Sequence, residues 1–322
     1  MNNIELNSKW EEITSFKDIN GYQALRISST CIPDIFLAVD ADGYRCLLLF
    51  LPEGIRVRTK GKTKDNLMLS YFPGKNFLSI KLKDFDFNDL FNDLVLSIYS
   101  KVKTITNSVL ASEEFIAAFN KWSVFFDDIP SNKLTQLQIQ GLFGELFVLD
   151  EYLTQASSLT INATLRAWKG LYDAANDFEF FQKNVEVKTK EENKLFVKIS
   201  SEFQLERELD KGLELKVISV TFDLTDGKSI HDLIKAVIQC TRSKGGDLGI
   251  IYHALSQKGL TVEALKEYDN YRFVVKNSKT YDCTIIGFPK LSSANIPNEI
   301  SSLTYDLRVS TLSEFLIEER KY

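Results

Sequence analysis

Histidine is almost absent from this chain: only His231 and His253 stand in 322 residues, and neither has a metal-ligand neighbour at helical or loop spacing. That argues against an active site built on histidine. The four cysteines, Cys31, Cys46, Cys240 and Cys283, form no CxxC pair. Their scatter argues against a zinc site or a disulfide framework and points to buried free thiols in a reducing compartment. No apolar run approaches the roughly 20 residues that cross a bilayer. The opening residues, MNNIELNSKWEEI, carry Glu5, Glu11 and Glu12 where a signal peptide has an apolar core. The expectation is a cytoplasmic protein without membrane contact. Net positive charge is also missing: the formal charge is −5 and the pI near 5.4. That argues against a general nucleic-acid coat protein, although a locally basic cleft can attract phosphate on an acidic molecule. No period of about 20–50 residues recurs, and no segment is of low complexity.

What is present suits a globular protein, with 44% hydrophobic and 26% charged residues. At roughly 150 residues per domain the length allows one large or two ordinary domains. Residues 20 to 85 read as strands and turns: Ile35 to Val39, the turn signal Asp40-Ala-Asp-Gly43, then Tyr44 to Leu51 predict a hairpin, and Phe77 to Leu82 resumes the alternation. From 88 the period changes. Leu90, Phe91, Leu94, Val95 and Ile98 mark an amphipathic helix, a second is expected over Glu113 to Phe126, and Pro130-Ser131 opens a third over 132–153. Beyond it, strands are expected near 177–181, 184–189, 195–200, 215–223, 248–252, 271–275 and 281–287. Helices are expected near 201–210, 229–241, 261–267 and from 311. The fold class is α/β (α+β), with a β-rich N-terminal domain over 1–105 and a second domain over 106–322 whose helical lead-in is 106–130.

The chemistry lies in Asp177-Phe-Glu-Phe-Phe-Gln-Lys-Asn-Val-Glu186-Val-Lys188. A tight turn around Gln182 to Asn184 folds two short strands together. Val185 and Val187 then point to one face and Glu186 and Lys188 to the other. Register counting places Asp177 across from Lys188 and Thr189, so two carboxylates and an amine converge at a sheet edge. Two close carboxylates repel unless a cation lies between them. Hard oxygen ligands suit Mg²⁺, with Mn²⁺ a substitute. Lysine beside the ion can orient a water and offset negative charge in phosphodiester hydrolysis. The (D/E)xK triplet by itself carries nothing, since it occurs five times, also at Glu192/Lys194, Glu214/Lys216, Asp226/Lys228 and Glu319/Lys321. Only Glu186 has an acidic hairpin partner. Five lysines, Lys183, Lys188, Lys190, Lys194 and Lys198, crowd this region, as a solvated strand edge or a phosphate-facing surface.

One more acid lies in the third helix. Glu145 projects among Gly141, Leu142, Val148 and Leu149 rather than on a polar face, where a carboxylate needs a compensating partner. A salt bridge to an arginine such as Arg166 and a place at the metal site both remain open. Gly141 is expected to admit a close backbone approach, and Trp168 to be a packing residue.

The ordered set Gly141-Leu-Phe-Gly144-Glu145-Leu, Trp168-Lys-Gly170, Asp177-Phe178, Val185-Glu186-Val-Lys188-Thr and Gln204-Leu205 resembles the bacterial PD-(D/E)XK motif proteins, within the restriction-endonuclease-like nuclease superfamily. The resemblance extends over most of the chain. It implies a core with a mixed central sheet flanked by helices, Mg²⁺ held by Asp177 and Glu186 with Glu145 joining them, and Lys188 orienting the water. Gln204 resembles a glutamine on the helix after the core strands, facing the scissile phosphate; on its own residues it is equally a surface glutamine. Asn176 stands where the motif has proline, and Asp173 substitutes for Asp177 if the register differs. The implied activity is a Mg²⁺-dependent DNA endonuclease of a restriction–modification or phage-defence system. A homodimer would cut both strands. The alternative is a non-catalytic nucleic-acid-binding or assembly subunit of such a system.

Overall fold

A computed structural model describes residues 1–14, 21–57, 61–127, 133–172, 174–292, 295–297, 299–300 and 303–322. The chain divides into two compact units, Met1–Ile129 and Pro130–Tyr322.

The first unit begins with α1 (Asn3–Thr14) and continues through β1 (Gln23–Arg26), β2 (Asp34–Val39), β3 (Arg45–Phe50), β4 (Lys62–Thr63), β5 (Leu67–Phe72) and β6 (Phe77–Leu82), then α2 (Asn88–Val102) and α3 (Ser108–Trp122). The strands form one antiparallel sheet in the order β1-β2-β3-β6-β5-β4. The expected hairpin is β2–β3. Asp40 Oδ1 accepts from the Tyr44 amide at 2.8 Å, and Gly43 takes the left-handed backbone (φ 90) that the turn needs. The second helix starts at Ser108, ahead of the expected Glu113, because the Asn107 side chain caps the amides of Val109 and Leu110. Residues after α3 remain attached to this unit: the Asn66 amide donates to the Phe126 carbonyl at 3.2 Å, and Lys64 donates to Asp127 at 2.8 Å. The unit therefore extends to 129, whereas the sequence assigned 106–130 to the second domain.

The second unit contains α4 (Gln136–Gln155), α5 (Ile161–Ala167), β7 (Phe178–Glu179), β8 (Lys183–Glu191), β9 (Phe196–Ile199), β10 (Gly212–Phe222), α6 (Ile230–Ser243), α7 (Gly249–Gln257), β11 (Phe273–Asp282), β12 (Tyr305–Arg308) and β13 (Leu316–Lys321). Its central sheet runs β13-β11-β10-β8-β7 and is mixed: β8 and β10 are parallel, and the other pairs antiparallel. This is the α+β architecture expected. The middle strand β10 is buried on both faces through Leu213, Leu215, Val217, Ile218 and Val220, as a covered parallel strand should be. Helix α4 packs on β8, and α6 packs on α4. The other side of β10 meets the β9–β12 ribbon, where Val197, Ile199, Leu215, Val217 and Leu307 share one core.

A capping box between Thr135 and Gln138 starts α4; Pro130 and Ser131 lie outside the described residues. The close approach belongs to Gly144, not Gly141. A β-carbon at Gly144 would stand 1.8 Å from Thr189 Oγ1, while one at Gly141 meets nothing within 4 Å. Five other expectations are corrected. The run Leu248 to Tyr252 opens α7 instead of a strand; its burial at Ile251, Tyr252, Ala254 and Leu255 follows a helical period. Residues 201–210 form successive turns rather than a helix, joined by three-residue bonds such as Glu206 amide to Phe203 carbonyl, and Asp210 adopts φ 60. The two strands near 271–275 and 281–287 are the single strand β11, and 261–267 shortens to a 3-10 turn over Ala264–Tyr268. The final segment makes short 3-10 turns and then β13, because pairing with β11 gives its alternating side chains a sheet edge. Among the described residues no helix is long and apolar enough to cross a membrane.

Candidate active site

The β7–β8 hairpin turns at Phe180–Lys183, where the Phe180 amide donates to the Lys183 carbonyl at 2.9 Å. Phe178 pairs with Val185 and Glu179 with Asn184. Continued by one step, that register sets Asp177 across from Glu186, not from Lys188 and Thr189. The correction brings the acids closer to a common site, because residues directly opposite in an antiparallel pair share a face. Asp177 Oδ2 is fixed by the Val187 amide at 2.8 Å. Its carbonyl accepts from the amides of Lys169 at 2.7 Å and Gly170 at 3.2 Å, and a bridge between Trp168 and Phe178 extends the sheet edge.

Glu186 is 1% exposed. Lys188 Nζ donates to its Oε1 at 2.8 Å and to Gln204 Oε1 at 3.0 Å, and Gln204 Oε1 is held in turn by the Ser200 amide at 2.8 Å. Gln204 thus sits on a turn and aims the lysine. Glu145 comes from α4 and accepts from Trp168 Nε1 at 3.0 Å; its partner is the indole, not Arg166, which is exposed. Trp168 is buried, so it packs as expected and also orients an acid. A β-carbon on Gly170 would fall 2.0 Å from Glu145 Oε2 and 3.2 Å from Asp177 Oδ1. Only glycine leaves that space to the two carboxylates. Asp173 lies outside the described residues.

Asn176 was weighed in the sequence only as the residue in proline's place. It is buried, and its Nδ2 donates to the Gln204 carbonyl at 2.7 Å and toward Glu186 Oε2 at 3.4 Å. It ties the acid to the segment that aims the lysine. A buried asparagine before an acid has no signature in a single sequence, because its value depends on two distant partners.

The competing triplet is accounted for. Lys216 is buried and pairs with Glu151 at 2.8 Å, and Glu214 takes Lys183 at 2.7 Å. Both belong to the α4 side of the sheet, next to Val187 and Val185 in the β8–β10 register. The lysine run is thereby divided: Lys183 and Lys194 are spent on ion pairs with Glu214 and Glu191, while Lys188 faces the acids.

Burial dominates the electrostatics, and repulsion among the acids adds to it. The Glu186 carboxyl is pushed up to about 8, first by burial and then by Asp177, against the pull of Lys188. Asp177 is raised by burial, opposed by the Val187 amide and Lys188. Glu145 is raised well above the usual carboxylate range by burial and Asp177, opposed by the Trp168 bond. A carboxyl held at about 8, as that of Glu186 is, keeps a proton near neutral pH or exchanges it for a cation. Mg²⁺ uses only one or two protein carboxylates and keeps several waters, so Asp177 and Glu186 are the pair that would hold it. Among the described residues no group of three or more His, Cys, Asp and Glu is gathered closely enough to hold an ion as it stands, so that pair carries the fit.

Compared with known proteins, residues 6–310 match a family model described as "Putative PD-(D/E)XK family member, (DUF4420)". No curated protein matches, and no solved structure matches.

Proposed function

Because the chain belongs to this PD-(D/E)XK family, we propose that it hydrolyses phosphodiester bonds of DNA with a divalent cation, Mg²⁺ first and Mn²⁺ as substitute, at Asp177, Glu186 and Lys188. The observation that carries the proposal is the convergence of Lys188, aimed by Gln204, on the buried Glu186 beside Asp177. When bound, the cation polarises the phosphate and lowers the pKa of a coordinated water. Asp177 and Glu186 would hold that cation, Glu186 giving up the proton that its burial favours. Glu145, oriented by Trp168, is the third acid of the metal side. Lys188, aimed by Gln204, positions the attacking water and offsets charge at the phosphate. Gln204 acts through Lys188 rather than on substrate.

Purified protein should cleave DNA with Mg²⁺ or Mn²⁺ and not with EDTA, and Lys188→Ala should abolish cleavage without unfolding the chain. Cleavage that survives Lys188→Ala overturns the assignment. The proposal extends to a cytoplasmic endonuclease of a restriction–modification or phage-defence system, acting with that system's proteins, and to a homodimer that supplies one site per strand. One observation favours a second reading. The Lys188 ammonium is already committed to Glu186 and Gln204, and no three-acid metal group stands ready among the described residues. A nucleic-acid-binding or assembly subunit that retains this fold would show tight DNA binding, no cleavage, and indifference to Lys188→Ala.

A further inference from the structure

Beside the acids, the turn after Trp168 places a cation and two rings together. Lys169 Nζ lies 5.7 Å from the centre of the Tyr172 ring. Tyr172 in turn stacks on His253 of α7 at 5.9 Å and 19°, with its hydroxyl 3.0 Å from His253 Nδ1. The turn is closed by the Tyr172 amide on the Lys169 carbonyl at 2.7 Å. It is fastened to the site because the Lys169 and Gly170 amides both hold the Asp177 carbonyl. Gly170, between the cation and the ring, is the residue whose missing β-carbon makes room for Glu145 and Asp177.

Three features of this arrangement are unneeded for packing. Lys169 and Tyr172 are half-buried and His253 is exposed, so the group borders solvent rather than a core. Lys169 makes no ion pair among the described residues, whereas Lys183, Lys194 and Lys216 all do. Lys169 also lines a groove of about 870 Å³ together with the cations Arg166 and Lys211 and the acids Glu179, Glu208 and Asp210. Lys169 and His253 both lie against the Tyr172 ring, so a base reaches it as the Lys169 ammonium, which has no ion pair among the described residues, moves to a phosphate; that exchange is the chemistry that takes a phosphate and a base from one nucleotide. The bonds to Asp177 set the group one short turn from the acids.

We propose that Lys169 and Tyr172, with His253 holding the ring, form a seat for the nucleotide adjacent to the scissile phosphodiester. Lys169 takes that nucleotide's phosphate and Tyr172 stacks its unpaired base. The seat rests on the hydrolytic reading for its neighbour, but its binding is measurable without catalysis. Such a seat favours single-stranded or splayed nucleic acid over intact duplex, whose bases are already stacked. His253 is a positioning residue here.

The test measures binding of a labelled single-stranded oligonucleotide of about 20 nucleotides, and of the matching duplex, to the full chain in EDTA across a salt series. Loss of one phosphate contact in Lys169→Gln should lower the slope of log K against log salt by about 0.7 for the single strand. Tyr172→Ala should weaken single-strand binding about tenfold, with little change for duplex. Tyr172→Phe keeps the ring and should bind like the parent, which guards against a mere folding defect. Unchanged slopes in Lys169→Gln, or parent-like binding by a folded Tyr172→Ala, overturns the seat even when Mg²⁺-dependent cleavage is present. The expected binding changes without any cleavage retain the seat and remove the hydrolytic reading.

Discussion

Glu186 gives the sharpest physical prediction, because its burial should make the protein less stable as pH rises. In the folded chain its carboxyl is pushed from the ordinary 4.5 to about 8. Between those values the folded state binds more protons than the unfolded state. The resulting stabilisation is complete below the unfolded value and is lost as pH rises through the folded one. Each pH unit inside the window changes stability by about 1.4 kcal/mol, so from pH 6 to pH 8 the loss is about 2–3 kcal/mol. For a unit of this size that lowers the melting temperature by roughly 5–10 °C. The assay is thermal unfolding in EDTA at pH 6, 7 and 8, for the parent and Glu186→Gln. The amide keeps the shape of the side chain and removes its charge, so the Glu186 share of the slope should vanish, leaving that of Glu145, which burial and Asp177 raise. Adding Mg²⁺ should raise the melting temperature more at pH 8 than at pH 6, since the ion competes with protons for the same oxygens. A parent whose melting temperature is flat over this range, or a slope that Glu186→Gln leaves intact, refutes the reasoning.

Gly144→Ala should destabilise the second unit by about 1–3 kcal/mol in denaturant titration, because its β-carbon meets Thr189 Oγ1 at 1.8 Å. Thr189→Ala in the same chain should recover most of that loss, as the Thr189 hydroxyl has no hydrogen-bond partner among the described residues. Asn176→Ala should lower kcat about tenfold or more with KM nearly unchanged, since it frees Glu186 and the Gln204 segment without touching substrate. An equal rise in KM speaks against that positioning role. Trp168→Phe removes the bond to Glu145 and should shift the alkaline rise of cleavage to higher pH, because that bond favours the ionised acid.

The amino-acid pattern by itself pointed to the α+β fold and to the segment that carries the candidate site. Alternation at Val185, Glu186, Val187 and Lys188 puts the acid and the amine on one strand face whatever surrounds it, since a strand has a period of two. Helical spacing over 132–153 likewise marked Glu145 as an acid on an apolar side. Register was not determined there. Moving the turn to Phe180–Lys183 changed the partner of Asp177, because local propensity does not choose between neighbouring tight turns and sheet pairing does. The strand-like run at 248–252 became a helix for a similar reason: a short apolar stretch suits either, and burial around it decides.

Tertiary structure alone decided who holds whom. Gln204 became the residue that aims Lys188 only once the 201–210 turns were folded over β8. Asn176, Trp168 and Gly170 acquired their roles from partners up to tens of residues away. The same packing separated equivalent triplets, tying Lys216 to Glu151 and leaving Lys188 with Glu186. Side-chain type and period are local properties of the chain, whereas desolvation and hydrogen-bond partnership exist only where distant segments exclude water together.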